Sequence, residues 1–91
     1  MGFSLELLVA IFEQAIKEKR KYVAVAVQIE GASRSEVIIN SSENLESKKA
    51  YYANAYDEYA KLKANPNIRI AYAVAGDTFA QIEDQIGWSE E

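Results

Sequence analysis

Leu5, Leu8, Phe12, Ala15 and Ile16 recur at helical spacing near the start of the chain, and Ile11 widens their stripe. Such spacing puts one apolar side on an α-helix. Ser4 offers an N-cap hydroxyl ahead of it, and Glu6 suits the positive end of the helix dipole. The pattern predicts a helix over residues 4–20. Leu7 and Val9 fall partly off the stripe, where they would face a second layer or a partner.

The period then changes to two. Val23, Val25, Val27 and Ile29 alternate with Tyr22, Ala24, Ala26, Gln28 and Glu30, which predicts a strand over 22–30. Gly31-Ala32-Ser33-Arg34 supplies a turn, and Glu36 to Asn40 a second strand, so the two should pair as an antiparallel hairpin. Asn40-Ser41-Ser42, with Glu43 and Glu46 behind it, opens a second helix. Leu45, Tyr52, Tyr56, Tyr59 and Leu62 share a face of that helix if it runs to about Ala64, where Asn65-Pro66 stops it.

A third strand follows, with Ile68, Ile70, Tyr72 and Val74 expected on one face and Arg69, Ala71, Ala73 and Ala75 on the other. Asp77 or Thr78 caps a last helix, and Thr78 with Gln81 fits a capping box. Phe79, Ile82 and Ile86 mark its apolar side, Gly87 fits its C-terminal stop, Trp88 folds back on its end, and residues 89–91 read as a frayed tail.

The order α-β-β-α-β-α defines one α+β domain over residues 1–91, a three-stranded mixed sheet packed with three helices. Strand order 2-1-3 puts the most apolar strand in the middle; order 1-2-3 is the alternative. The valine face of the sheet must be covered by helices. The face of Ala24 and Ala26, continued by Ala71, Ala73 and Ala75, is either closely packed by a helix or open to a partner.

Composition narrows the chemistry. The 91 residues include no cysteine and no histidine, which excludes disulfides, thiolate metal sites and Ser-His-Asp or Cys-His catalysis. The formal net charge is −4, the wrong sign for a duplex binder. Lys17, Lys19, Arg20 and Lys21 form the one basic cluster in the sequence, where cations complement a helix C-terminus. The carboxylates pair only as neighbours in sequence (Glu43 and Glu46, Asp57 and Glu58, Glu83 and Asp84), as caps and solvated helix faces do. Gly76-Asp77-Thr78 opens a helix after a strand, but one glycine makes no phosphate loop and Asp77 repels anions. Neither a charged leader nor an apolar run of about 20 residues is present, so a cytoplasmic location is the default.

Ala50-Tyr51-Tyr52, Ala55-Tyr56-Asp57, Leu62-Lys63, Asn65-Pro66 before Ile68-Arg69-Ile70, and Gly76-Asp77-Thr78-Phe79 with Ile82-Glu83 carry a resemblance. Over this part of the chain, residues 48–84, it resembles small uncharacterised proteins encoded by phages and prophages of Gram-positive bacteria. The resemblance implies no activity and no catalytic residues. It implies a context of small accessory proteins that act by binding host or phage proteins.

The expectation is a non-enzymatic interaction module with no cofactor and no metal. Its partner is a protein, a homodimer being one form, and neither membrane nor nucleic acid is favoured. Contact candidates are Tyr51, Tyr22, Ala24, Ala26, Gln28, Arg69 and Trp88. The alternative is a nucleic-acid factor, either binding through the basic cluster or mimicking DNA with its acidic surface.

Overall fold

The computed structural model describes residues 3–32 and 36–86, the side chains of 83–86 excepted. Among these, the elements are α1 (Leu5–Lys17), β1 (Tyr22–Ile29), β2 (Glu36–Ser41), α2 (Leu45–Ala55), β3 (Lys61–Leu62), β4 (Asn65–Gly76) and α3 (Phe79–Ile86). The class is α+β as expected, but the sheet has four strands in the order β2-β1-β4-β3, and every pairing is antiparallel. The expected order 2-1-3 survives as β2-β1-β4. The mixed, three-stranded description does not: β1 runs antiparallel to both of its neighbours, and a short fourth strand lies inside the segment expected to be helix.

Local chemistry accounts for most element ends. The Ser4 hydroxyl accepts the Leu7 N–H at 3.1 Å and caps α1. That helix stops at Lys17, three residues early, in a Schellman turn. Arg20 N–H bonds the Ala15 carbonyl at 2.9 Å, Lys19 N–H bonds that of Ile16 at 3.1 Å, and Lys19 takes a left-handed φ of 58°. At α3, Thr78 Oγ1 accepts Gln81 N–H at 3.1 Å, and Gln81 Oε1 reaches back to Asp77 N–H at 2.7 Å. The capping box is therefore present, with its return bond one residue upstream.

The second helix is the main correction. It ends at Ala55 rather than near Ala64, and Tyr56 is extended. Asp57 to Lys61 then form a tight three-residue hairpin loop. Asp57 N–H bonds the Lys61 carbonyl and Ala60 N–H the Asp57 carbonyl, both at 2.8 Å, while Ala60 is left-handed at φ 63°. Asp57 Oδ1 accepts from Tyr59 N–H at 2.9 Å and Lys61 N–H at 3.0 Å, giving the backbone an alternative to helix. Tyr59 consequently leaves the expected helix face and is 66% exposed at the loop tip.

The third expected strand is longer than its apolar run and carries a bulge. Val27 pairs with Ile70 but Ala26 with Tyr72, so Ala71 is the extra residue. Beyond it the phase inverts. Ala73 and Ala75, paired with Val25 and Val23, face the helices, whereas Tyr72 and Val74 join Ala26 and Ala24 on the opposite side. The expected alanine face is thus wrong in its β4 half. Small residues stand where α1 approaches β4, with Ala15 and Ala73 both buried, and the bulky ones flank β1 on the other face.

The main core lies between α1, α2 and one sheet face. It joins Leu8, Phe12 and Ala15 with Val23, Val25, Val27, Leu45, Tyr52, Tyr56, Ala60 and Ile70. The second face receives α3. Ile82 is buried, an added Cβ on Gly76 would meet its Cγ1 at 3.0 Å, and Phe79 packs on Tyr22 with ring centroids 4.9 Å apart. Gly87, Trp88 and the tail lie outside the described residues.

Candidate functional site

The sheet has two edges built from different sequences. On one side, β4 is shielded over part of its length. Lys61 and Leu62 of β3 pair with Arg69 and Asn65, and Ile70 N–H bonds the Ala60 carbonyl at 2.9 Å. Further along, Ile11, Gln14, Ala15 and Glu18 of α1 form a crevice with Ala73, Val74 and Ala75. Pro66, Arg69 and the bulge at Ala71 are additional devices that discourage strand addition.

On the other side, β2 pairs with β1 through six consecutive residue pairs with no register shift, and among the described residues nothing hydrogen-bonds along its outer side. Its sequence, Glu-Val-Ile-Ile-Asn-Ser, holds three β-branched apolar residues, one charge and no lysine or proline. Ile38 is 41% exposed on the helical face, since it pairs with the core residue Val25. Val37 and Ile39 are half-buried on the opposite face, paired with Ala26 and Ala24. The strand is held rigidly from inside: Asn40 is buried and its Nδ2 donates to the Val23 carbonyl at 3.2 Å.

On the helical face a tyrosine cluster reaches from Tyr52, next to Asn40 of β2, to Tyr56, which bridges to Leu62 of β3. Tyr52 and Tyr56 are buried, with ring centroids 5.5 Å apart, and Phe12 is 5.6 Å from Tyr52. Tyr51 meets both edge-on at 5.1 and 6.5 Å, is 49% exposed, and carries the Lys48 ammonium 5.5 Å from its ring centre. Burial pushes the Tyr52 phenol up to about 12, opposed by the neighbouring Asn40 side chain. Burial also raises Tyr56. These two are structural rings, and Tyr51 is the cluster's accessible member.

The remaining expected contact residues disperse. Ala24 and Ala26 are each 1% exposed and inaccessible, and Tyr22 is half-buried against Phe79. Gln28 and exposed Arg69 are cross-strand partners at the far end of that face, where they line a polar cleft of about 370 Å³ with Glu30, Lys61 and Asn67. Arg69 forms no ion pair with Glu30 or Glu36. Of the basic cluster, Arg20 is tied to Asp77 at 3.2 Å and Glu18 at 3.3 Å; Asp77 also accepts Lys21 N–H at 3.2 Å, so its carboxylate braces the β4–α3 turn against β1. Among the described residues no three His, Cys, Asp or Glu side chains gather as a metal site. No described helix is long and apolar enough to cross a membrane.

The sequence reading missed Ile38. In the run Val37-Ile38-Ile39 both faces are apolar, so periodicity does not mark one residue as exposed; only the strand's place at the sheet edge does. Comparison of the chain with protein-family models, with curated proteins and with solved structures returns no match.

Proposed function

We propose that the protein is a non-enzymatic interaction module of the cytoplasm, whose working surface is the outer edge of β2 around exposed Ile38. The observation that carries this reading is the contrast between the two sides of the sheet: β4 is paired with β3 at Arg69 and Asn65 and has α1 beside Ala73 to Ala75, while β2 is apolar, regular in its pairing with β1 and, among the described residues, unpaired along its outer side. An edge of that kind offers a row of backbone donors and acceptors to an added strand, with alternate side chains supplying specificity. Binding of this type needs no histidine, cysteine or cofactor, in keeping with the composition. It also suits the accessory role implied by the resemblance to phage and prophage proteins.

The test compares immobilised wild type, Ile38→Lys and Tyr59→Ala. A charge on the bare edge should abolish retention of a protein ligand, foreign or a second copy, whereas the loop-tip variant should retain it. Equal retention by all three, or retention by none, contradicts the reading. Circular dichroism verifies that each variant is folded.

A further inference from the structure

We infer that the strand added to β2 is β2 of a second copy, related by a twofold axis through Ile38. This rests on the reading of β2 as the working edge and names its occupant. A twofold axis perpendicular to a sheet joins identical edge strands antiparallel and keeps each face continuous. Residues placed opposite one another must then share a face. On β2, Glu36, Ile38 and Asn40 share the helical face, being paired with Val27, Val25 and Val23, and Val37 and Ile39 share the other.

Only residue-centred registers satisfy that condition, and their side chains separate them. Centred on Glu36, the axis sets two carboxylates together, which destabilises a cross-strand pair. Centred on Val37, it puts Glu36 against Ile38. Centred on Ile39, it puts Ile38 against polar Asn40 and Val37 against Ser41; centred on Asn40, it puts Ile39 against Ser41. Centred on Ile38, it matches apolar with apolar and polar with polar. Ile38 meets Ile38 of the second copy, Val37 meets Ile39 on the opposite face, and Glu36 meets uncharged Asn40 at each rim. No like charges oppose one another within the strand, although each copy carries a net charge of −4.

The product is a continuous eight-stranded antiparallel sheet, twice the four strands of one copy. Both α2 helices lie on one side of it. A six-residue seam is short of the roughly 1,600 Å² of a standard interface, so the dimer should dissociate at micromolar concentrations, on the order of 10–100 µM.

Sedimentation equilibrium from about 1 to 500 µM tests the dimer and cysteine cross-linking tests its register. The chain has no cysteine, so Ile38→Cys introduces a single thiol. Directly opposed residues of an antiparallel pair have Cα atoms about 4.5–5.5 Å apart, within reach of a disulfide. Wild type should dimerise, Ile38→Lys should weaken the dimer at least tenfold, and mild oxidation should link Ile38→Cys but not Ala53→Cys on α2. A wild type that stays monomeric, or a dimer that Ile38→Lys leaves intact and Ile38→Cys does not link, overturns the inference. If the purified chain is monomeric yet retains a foreign protein in an Ile38-dependent way, the second copy is wrong and the edge reading stands. If no Ile38-dependent ligand of either kind exists, both fall.

Discussion

The two sides of this sheet each carry a β-branched isoleucine, Ile70 in β4 and Ile38 in β2, yet one is woven into the core and the other is left at the surface. On the β4 side, Ile70 is fully buried, its N–H is taken by Ala60, and Ala60 belongs to the main core. On the β2 side, Ile38 projects from a strand whose only ladder among the described residues is to β1. An apolar residue at an edge is structural when a hairpin folds over it and available when nothing does. The Asp57–Lys61 loop is what makes that difference, because it turns the chain back to lay β3 along β4.

Core truncation gives the largest contrast. Ile70→Ala should cost about 3–4 kcal/mol, whereas Ile38→Ala in the monomer should cost under about 1 kcal/mol. Denaturant unfolding at a concentration too low for association checks both. Comparable losses would erase the distinction between the edges.

Alkaline pH probes the ring beneath the β2 side. The Tyr52 phenol sits near 12 in the folded chain against 10.0 when unfolded, chiefly because it is buried. Its contribution is complete below pH 10, where both states are protonated. From there the unfolded state loses its proton first, so stability falls as pH rises toward 12, by up to about 2–3 kcal/mol. Tyr52→Phe should lack this component. The difference in unfolding free energy between the two proteins, followed from pH 9 to 12, isolates it from lysine titration.

Asp57→Ala should cost about 1–2 kcal/mol through loss of the two hydrogen bonds that its carboxylate accepts from the Tyr59 and Lys61 N–H groups. It should also speed exchange of the Ile70 amide, which depends on Ala60 holding its position. Ile38→Lys should have the smallest effect on monomer stability, within about 0.5 kcal/mol, because the site is open. Thermal unfolding at low concentration checks that its loss of association is not a loss of fold.

Much of this arrangement is legible from the residues. The strict alternation of Val23 to Ile29, the Ser4 cap and the Thr78–Gln81 pair specify β1, α1 and the start of α3 by local rules alone. The loop that ends α2 is not legible, because its left-handed position holds Ala60 where glycine is the usual signal, and Asp57-Glu58-Tyr59 is compatible with a helix. The bulge at Ala71 is hidden for another reason. In Ile70-Ala-Tyr-Ala-Val-Ala75 the alternation of large and small is perfect, and only packing against α1 reveals that the buried set changes from large to small halfway along. Of the expected contact residues, Tyr51 is exposed by its helix position, while Ala24 and Ala26 are sealed by neighbours whose side of the sheet depended on that bulge.

The most direct measurement of the central claim is amide hydrogen exchange read residue by residue at two protein concentrations, one below and one above the expected dissociation range. Alternate amides of β2 should gain protection at the higher concentration, while those of β4 should be unchanged. No change along β2, or a gain along β4 instead, would contradict the assignment of β2 as the open edge that a second copy completes.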